Sequence, residues 1–120
     1  MNHRTNPEHV IVVDCDDTLV MWNNFESVGD VYITDPYDDT QVLLKKHKKH
    51  IKLVKDHFER GYYVVVWSAG GFLWAKAVVE ALELGPYVHH IMAKPLKFID
   101  DLQASEILGT RVYLEDADEI

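Results

Sequence analysis

The chain has a single cysteine, Cys15, which excludes an internal disulfide and leaves no second thiol for a metal pair, so redox chemistry is not expected. No apolar run approaches the roughly 20 residues that span a bilayer. Met1 to Glu8 is polar and lacks the apolar core of a signal peptide, so a cytoplasmic protein with no membrane partner is expected. Positive charge is scarce: 12 Lys and Arg face 20 Asp and Glu, and the net charge of -8 argues against generic electrostatic binding to nucleic acid. The scarcity is uneven, since six of the basic residues fall between Lys45 and Lys55. There is no internal repeat, no linker, no low-complexity tract and no kinase P-loop. At 120 residues and 48% hydrophobic, the chain is long enough for one core and too short for two ordinary domains, so residues 1–120 are expected to form a single domain.

What is present alternates between strand and helix signals. Val10 to Val13 is a short continuous apolar run, the mark of a strand buried on both faces, and "YYVVVW" at Tyr62 to Trp67 is another, entered through Gly61 and left through "SAGG". Between them, in "QVLLKKHKKHIKLVKDHFERG", Leu44, Ile51, Val54 and Phe58 recur at helical spacing among lysines and histidines. "FLWAKAVVEALELG" predicts a second helix closing at Gly85 and Pro86. "YVHHIM", "KFID" and "RVYL" are strand candidates, with "LQASEILG" a brief helix between the last two. This order predicts an α/β fold: a doubly wound, Rossmann-like parallel sheet with helices on both faces. The stretch from Val20 to Asp39 differs. Turn formers surround the strand-like "DVYIT", which predicts a small β-hairpin flap.

The first strand runs into Asp14, Asp16 and Asp17, with Thr18 behind them. In an α/β sheet, ligands bind beyond the carboxyl ends of the strands. Carboxylates this close repel one another unless a cation offsets them, and an all-oxygen set suits Mg²⁺, which keeps several waters and takes one or two carboxylates plus substrate phosphate. The plain alternative, a turn or helix cap, fits less well. No obvious helix follows, and a second acidic pair, Asp100 and Asp101, closes "KFI" at another predicted strand end.

"VVDCDDTLV" resembles the first motif of the haloacid dehalogenase superfamily, an apolar strand followed by Asp-x-Asp-x-Thr. The later motifs occur in order: Ser68 after an apolar strand in "VVVWSAGG", Lys94 in "MAKP", and the acidic pair Asp100 and Asp101. The resemblance covers Val10 to about Leu114. It implies a Mg²⁺-dependent phosphatase in which Asp14 is the nucleophile that forms an aspartyl-phosphate and Asp16 is the acid that protonates the leaving oxygen, then activates water. It further implies Mg²⁺ held by the Asp14 side chain and the Asp16 carbonyl, with Asp100 or Asp101 completing the shell. Ser68 and the N–H groups of Ala69 and Gly70 would hold the phosphate, and Lys94 would screen Asp14. Asp16 favours phosphate ester chemistry, because halide-removing members lack an acid at that position.

Asp17 stands where the family most often has Gly, which puts the loop geometry alone in question. Glu115 and Asp116 after "VYL" could imitate the fourth motif, but Asp100 and Asp101 are preferred because a helix and another strand follow them. Cys15 is read as filler, His47 and His50 as surface residues, and the lysines from Lys45 to Lys55 as a solvated helix face or else a landing strip for an anionic polymer. The intervals between motifs leave no room for a cap domain. The site should be open unless an oligomeric partner covers it, so it could admit a phosphorylated small molecule, a nucleotide or an oligonucleotide end, with Trp22 and Phe25 available for stacking. The layout is also similar to the phosphatase half of polynucleotide kinase-phosphatases. The competing readings are a small-metabolite phosphatase and a non-catalytic phosphate- or metal-binding module on the same sheet.

Overall fold

The structure, a computed structural model, describes residues 5–22 and 29–115. Its centre is a parallel three-stranded sheet in the order β1-β5-β6, made of β1 (Asn6–Asp14), β5 (Tyr62–Ser68) and β6 (His90–Ala93). Helix α1 (Lys48–Glu59) connects β1 to β5 and helix α2 (Phe72–Ala81) connects β5 to β6. Both crossovers step the same way along the sheet, and right-handed connections then place both helices on one face. Val54 of α1 and Val78 and Val79 of α2 accordingly join Val13, Val64 and Val66 in one buried cluster.

Among the described residues no helix covers the other face of the sheet, which corrects the expectation of helices on both faces. Val10 and Val12 of β1 are 50% and 38% exposed, and no strand among the described residues pairs with the outer edge of β1. The cause is downstream. "KFID" and "RVYL" do not form strands, and "LQASEILG" contributes only the four-residue α3 (Ala104–Ile107), held by a capping box between Gln103 and Glu106. Leu96 and Ile99 are fully exposed. An apolar run becomes a strand only where a neighbour satisfies its backbone, and no strand pairs with these segments among the described residues.

The flap is larger than the hairpin expected. β2 (Val20–Met21), β3 (Val31–Thr34) and β4 (Gln41–Lys46) form an antiparallel sheet in the order β2-β4-β3. Leu44 therefore belongs to β4, paired with Val31, and not to a helix that continues into α1. Its spacing of seven residues from Ile51 fits a helix by coincidence, while Leu43 out and Leu44 in is the period of a strand. Lys45 and Lys46 lie on this strand, so the lysine-rich stretch is not one helix face. α1 starts at its cap His47 and ends before Gly61, whose φ of +87° a side chain would resist. No described helix is long and apolar enough to cross a membrane.

Candidate active site

The parallel registers bring the motif residues to one rim. Asp14 pairs with Trp67, and Ser68 pairs with Ala93, so Asp14, Ser68 and Lys94 end or follow three adjacent strands at their carboxyl ends. The main-chain N–H of Lys94 donates to the Ser68 carbonyl at 2.9 Å. Its ammonium lies 3.2 Å from Oδ1 of Asp14, with both side chains about one-third exposed.

The turn after β1 is wound tightly around one acceptor. The Cys15 carbonyl accepts from the N–H groups of Thr18, Leu19 and Val20, and the N–H of Asp17 donates to the Val20 carbonyl at 2.7 Å. Asp17 has a φ of +57°, the left-handed conformation that Asp tolerates better than most residues. Buried Leu19 anchors the turn in the core, and truncating it to Ala is expected to cost about 2–5 kcal/mol. The result presents Thr18 Oγ1 to Oδ2 of Asp14, as donor, at 3.1 Å. Asp14 thus has an ammonium on one oxygen and a hydroxyl on the other.

Asp16 is held differently. The indole N–H groups of Trp22 and Trp74 both donate to its Oδ1, at 2.8 and 2.9 Å. Their ring centroids are 6.0 Å apart, and with Asp16, Asp35, Tyr37 and Gly70 they line an open pocket of about 190 Å³. Tyr37 reaches it from the flap, its hydroxyl donating to the Gly70 carbonyl at 3.1 Å. Gly71, the α2 cap, has a φ of +103°, and a Cβ there would lie 2.5 Å from the Tyr37 hydroxyl. The left-handed φ is what favours glycine here, and any side chain would also displace the Tyr37 hydroxyl.

Ser68 is fully buried, and its Oγ accepts from the N–H of Gly70 at 2.9 Å. That bond leaves the Ser68 hydroxyl proton free to donate. It also withdraws one of the two N–H groups expected to face a phosphate, and Ala69 keeps the other. Cys15 is buried beside Asp14 and Asp16. Burial first, and then the two carboxylates, push its thiol up to about 12, so it stays protonated as packing material.

Asp100 and Asp101 do not join this rim. Asp100 Oδ1 caps the N–H of Leu102 at 2.9 Å, and both residues are exposed in a segment that is not a strand. Among the described residues no three of His, Cys, Asp and Glu converge to hold a metal ion. The donors that fit a hard cation are the Asp14 carboxylate and the Asp16 carbonyl, which accepts no hydrogen bond among the described residues. Asp116 and Phe25 lie outside the described residues. Lys46, Lys48 and Lys55 line a separate hollow with Ile51, Leu82 and Tyr87, away from Asp14.

The sequence reading offered Trp22 for stacking and missed the engagement of Asp16 by the indoles of Trp22 and Trp74; it also missed Tyr37, whose only signal was an aromatic residue inside the turn-forming "DPYDD". It also misplaced His47 and His50, which are buried and not on the surface. Comparison of the chain with protein-family models, curated proteins and solved structures gave no match.

Proposed function

We propose that the chain is a single-domain, capless, cytoplasmic phosphomonoester hydrolase of the haloacid dehalogenase type. The observation that supports it best is the Asp14 carboxylate between the Lys94 ammonium and the Thr18 hydroxyl at the carboxyl ends of parallel strands. An oxygen of Asp14 attacks phosphorus and the bond to the leaving oxygen breaks. Asp16 gives that oxygen its proton, and an aspartyl-phosphate remains on Asp14. Asp16 then takes a proton from the water that attacks this phosphorus, which releases phosphate and restores the Asp14 carboxylate and the protonated Asp16 acid. Lys94 offsets the charge on the phosphoryl oxygens, and the Ser68 hydroxyl and Ala69 N–H bind one of them.

Mg²⁺, when bound, supplies further positive charge to the phosphoryl group. Asp14 and the Asp16 carbonyl would hold it. Asp100 or Asp101 joins them only if residues 96–101 leave their exposed position for the free edge of β1. The pocket beside Asp16 suits a leaving group with a flat or ring-shaped body, a nucleotide or an oligonucleotide end before a small aliphatic metabolite.

The test is release of phosphate from an aryl phosphate, a nucleoside monophosphate, a 3′-phosphorylated oligonucleotide and a sugar phosphate in the presence of Mg²⁺. Activity that Asp14→Asn abolishes supports the reading. No release from any of the four, by a folded protein, leaves the non-catalytic binding module.

A further inference from the structure

A closed hydrogen-bond circuit lies behind the nucleophile turn, built from His47, His50 and Leu114, which the phosphatase reading does not use, and joined to the turn at Thr18. His47, the cap of α1, and His50, in its first turn, are buried, with rings stacked at 3.5 Å between centroids and planes 7° apart. Each of the four ring nitrogens has one partner. His50 Nδ1 faces the Thr18 carbonyl at 2.7 Å, and His50 Nε2 faces the N–H of Leu114 at 2.8 Å. His47 Nε2 faces the Leu114 carbonyl at 2.8 Å, and His47 Nδ1 faces the main-chain N–H of His50 at 3.1 Å. A carbonyl can only accept and an N–H can only donate, so these partners assign the protons: His50 carries its own on Nδ1, His47 on Nε2, and both rings are neutral.

The pair therefore clamps both backbone groups of Leu114, as a strand neighbour would. Tyr113 adds a second tie, its hydroxyl donating to the Asp17 carbonyl at 3.0 Å with its ring 4.9 Å from that of His50. The carbonyls of two consecutive turn residues, Asp17 and Thr18, are thus held from outside. Thr18 is also the residue whose hydroxyl donates to Asp14. We infer that His50, supported by His47 and Tyr113, is a positioning residue for Asp14: it fixes Thr18 by the carbonyl so that the Thr18 hydroxyl fixes the nucleophile. The inference rests on Asp14 being the nucleophile.

Protonation opens the circuit. A proton on His50 Nε2 meets the Leu114 N–H, and one on His47 Nδ1 meets the His50 N–H, so neither cation has an acceptor there. The surroundings disfavour the cation as well. Burial is the main cause that holds His50 below the ordinary histidine value of 6.5, the neighbouring His47 adds to it, and the Thr18 carbonyl opposes it. The other groups around it are the Tyr113 phenol, the Arg111 guanidinium 5.1 Å over that ring, Asp17 through its main chain, and Lys48 and Lys49 in the first turn of α1, at the positive end of the helix dipole. Between 6.5 and its lower folded value the unfolded chain binds a proton that the folded chain refuses. The contribution of His50 is complete above about pH 6.5 and drains as pH falls toward the lower value.

The experiment combines kinetics on the full chain with nitrogen and carbon NMR of its side chains. His50→Asn keeps a donor near Nδ1 for Thr18, whereas His50→Gln keeps an acceptor near Nε2 for Leu114. We expect His50→Ala and His50→Gln to lower kcat about tenfold or more with KM within about twofold, and His50→Asn to recover most of kcat. The acid limb of the kcat profile should shift in the Ala variant. Tyr113→Phe, which removes only one hydroxyl, should lower kcat about threefold and serves if His50→Ala does not fold. Equal effects of Asn and Gln, or an unmoved acid limb, overturn the inference. If the wild type hydrolyses nothing, the phosphatase reading fails separately, and the rings decide: His50 protonated on Nε2 at neutral pH, or an Asp14 carboxyl carbon resonance unchanged in Tyr113→Phe and His50→Asn alike, overturns the positioning role.

Discussion

Lys94 and Asp14 meet in a 3.2 Å ion pair although the strands they follow and end, β6 and β1, do not touch, with β5 lying between them. Two strand spacings are about 10 Å, a gap closed by the long lysine side chain, the Asp14 carboxylate and the contact between them together. The ammonium therefore passes over the end of β5, where Ser68 stands, and under the proposed function the space bounded by Asp14, Ser68 and Lys94 would take the phosphoryl group.

Lys94→Met should lower kcat about 100-fold to 1000-fold, as expected for removal of a group that stabilises developing charge. The melting temperature should move by only a few degrees, because each partner is about one-third exposed and such pairs contribute about 0–1 kcal/mol. Steady-state kinetics and a thermal melt on the same sample check this. A large loss of stability with kcat retained would make the ion pair structural.

Mg²⁺ should stabilise the folded chain, by about 2.7 kcal/mol at 100 times the dissociation constant. If residues 96–101 move to the edge of β1 to complete the site, the double variant Asp100→Asn, Asp101→Asn should lose that gain, since one carboxylate and one carbonyl make a weak site for a cation that demands six oxygens. Melts with millimolar Mg²⁺ and with chelator measure it. A shift that survives the double variant would assign the ion to Asp14 and Asp16 alone, and no shift in the wild type would remove the metal from the account.

How far the sequence could be read depended on whether a signal was local. β1, β5, α2 and the left-handed Asp17 carry their own patterns, and register alone then brings Asp14, Ser68 and Lys94 together. β4 was hidden because Leu44 keeps helical spacing with Ile51, and only the pairing with β3 reveals it as a strand. His47 and His50 looked like solvent residues among lysines. Their burial depends on Thr18 and Leu114, which are far from them in the chain. The strands expected at "KFID" and "RVYL" failed for the complementary reason: a strand-like composition does not supply a partner strand.

Oδ1 of Asp16 is shared by the indoles of Trp22 and Trp74. A carboxyl held by two donors on one oxygen keeps its orientation without a charge partner, which suits a group that must hand a proton to the leaving oxygen in one step and take one from water in the next. The demand for that proton depends on the leaving group, because an aryl oxide departs readily and an alkoxide does not. Asp16→Asn should therefore cost at least about tenfold more kcat on an alkyl phosphate than on a nitrophenyl phosphate. Trp74→Phe, which removes one donor and keeps the ring, should show the same bias at smaller size, because the acid remains but is less well aimed. Rates on paired alkyl and aryl substrates across the three proteins decide the point. Equal losses on both substrates would show that Asp16 and its indoles serve the fold of the turn and take no part in proton transfer.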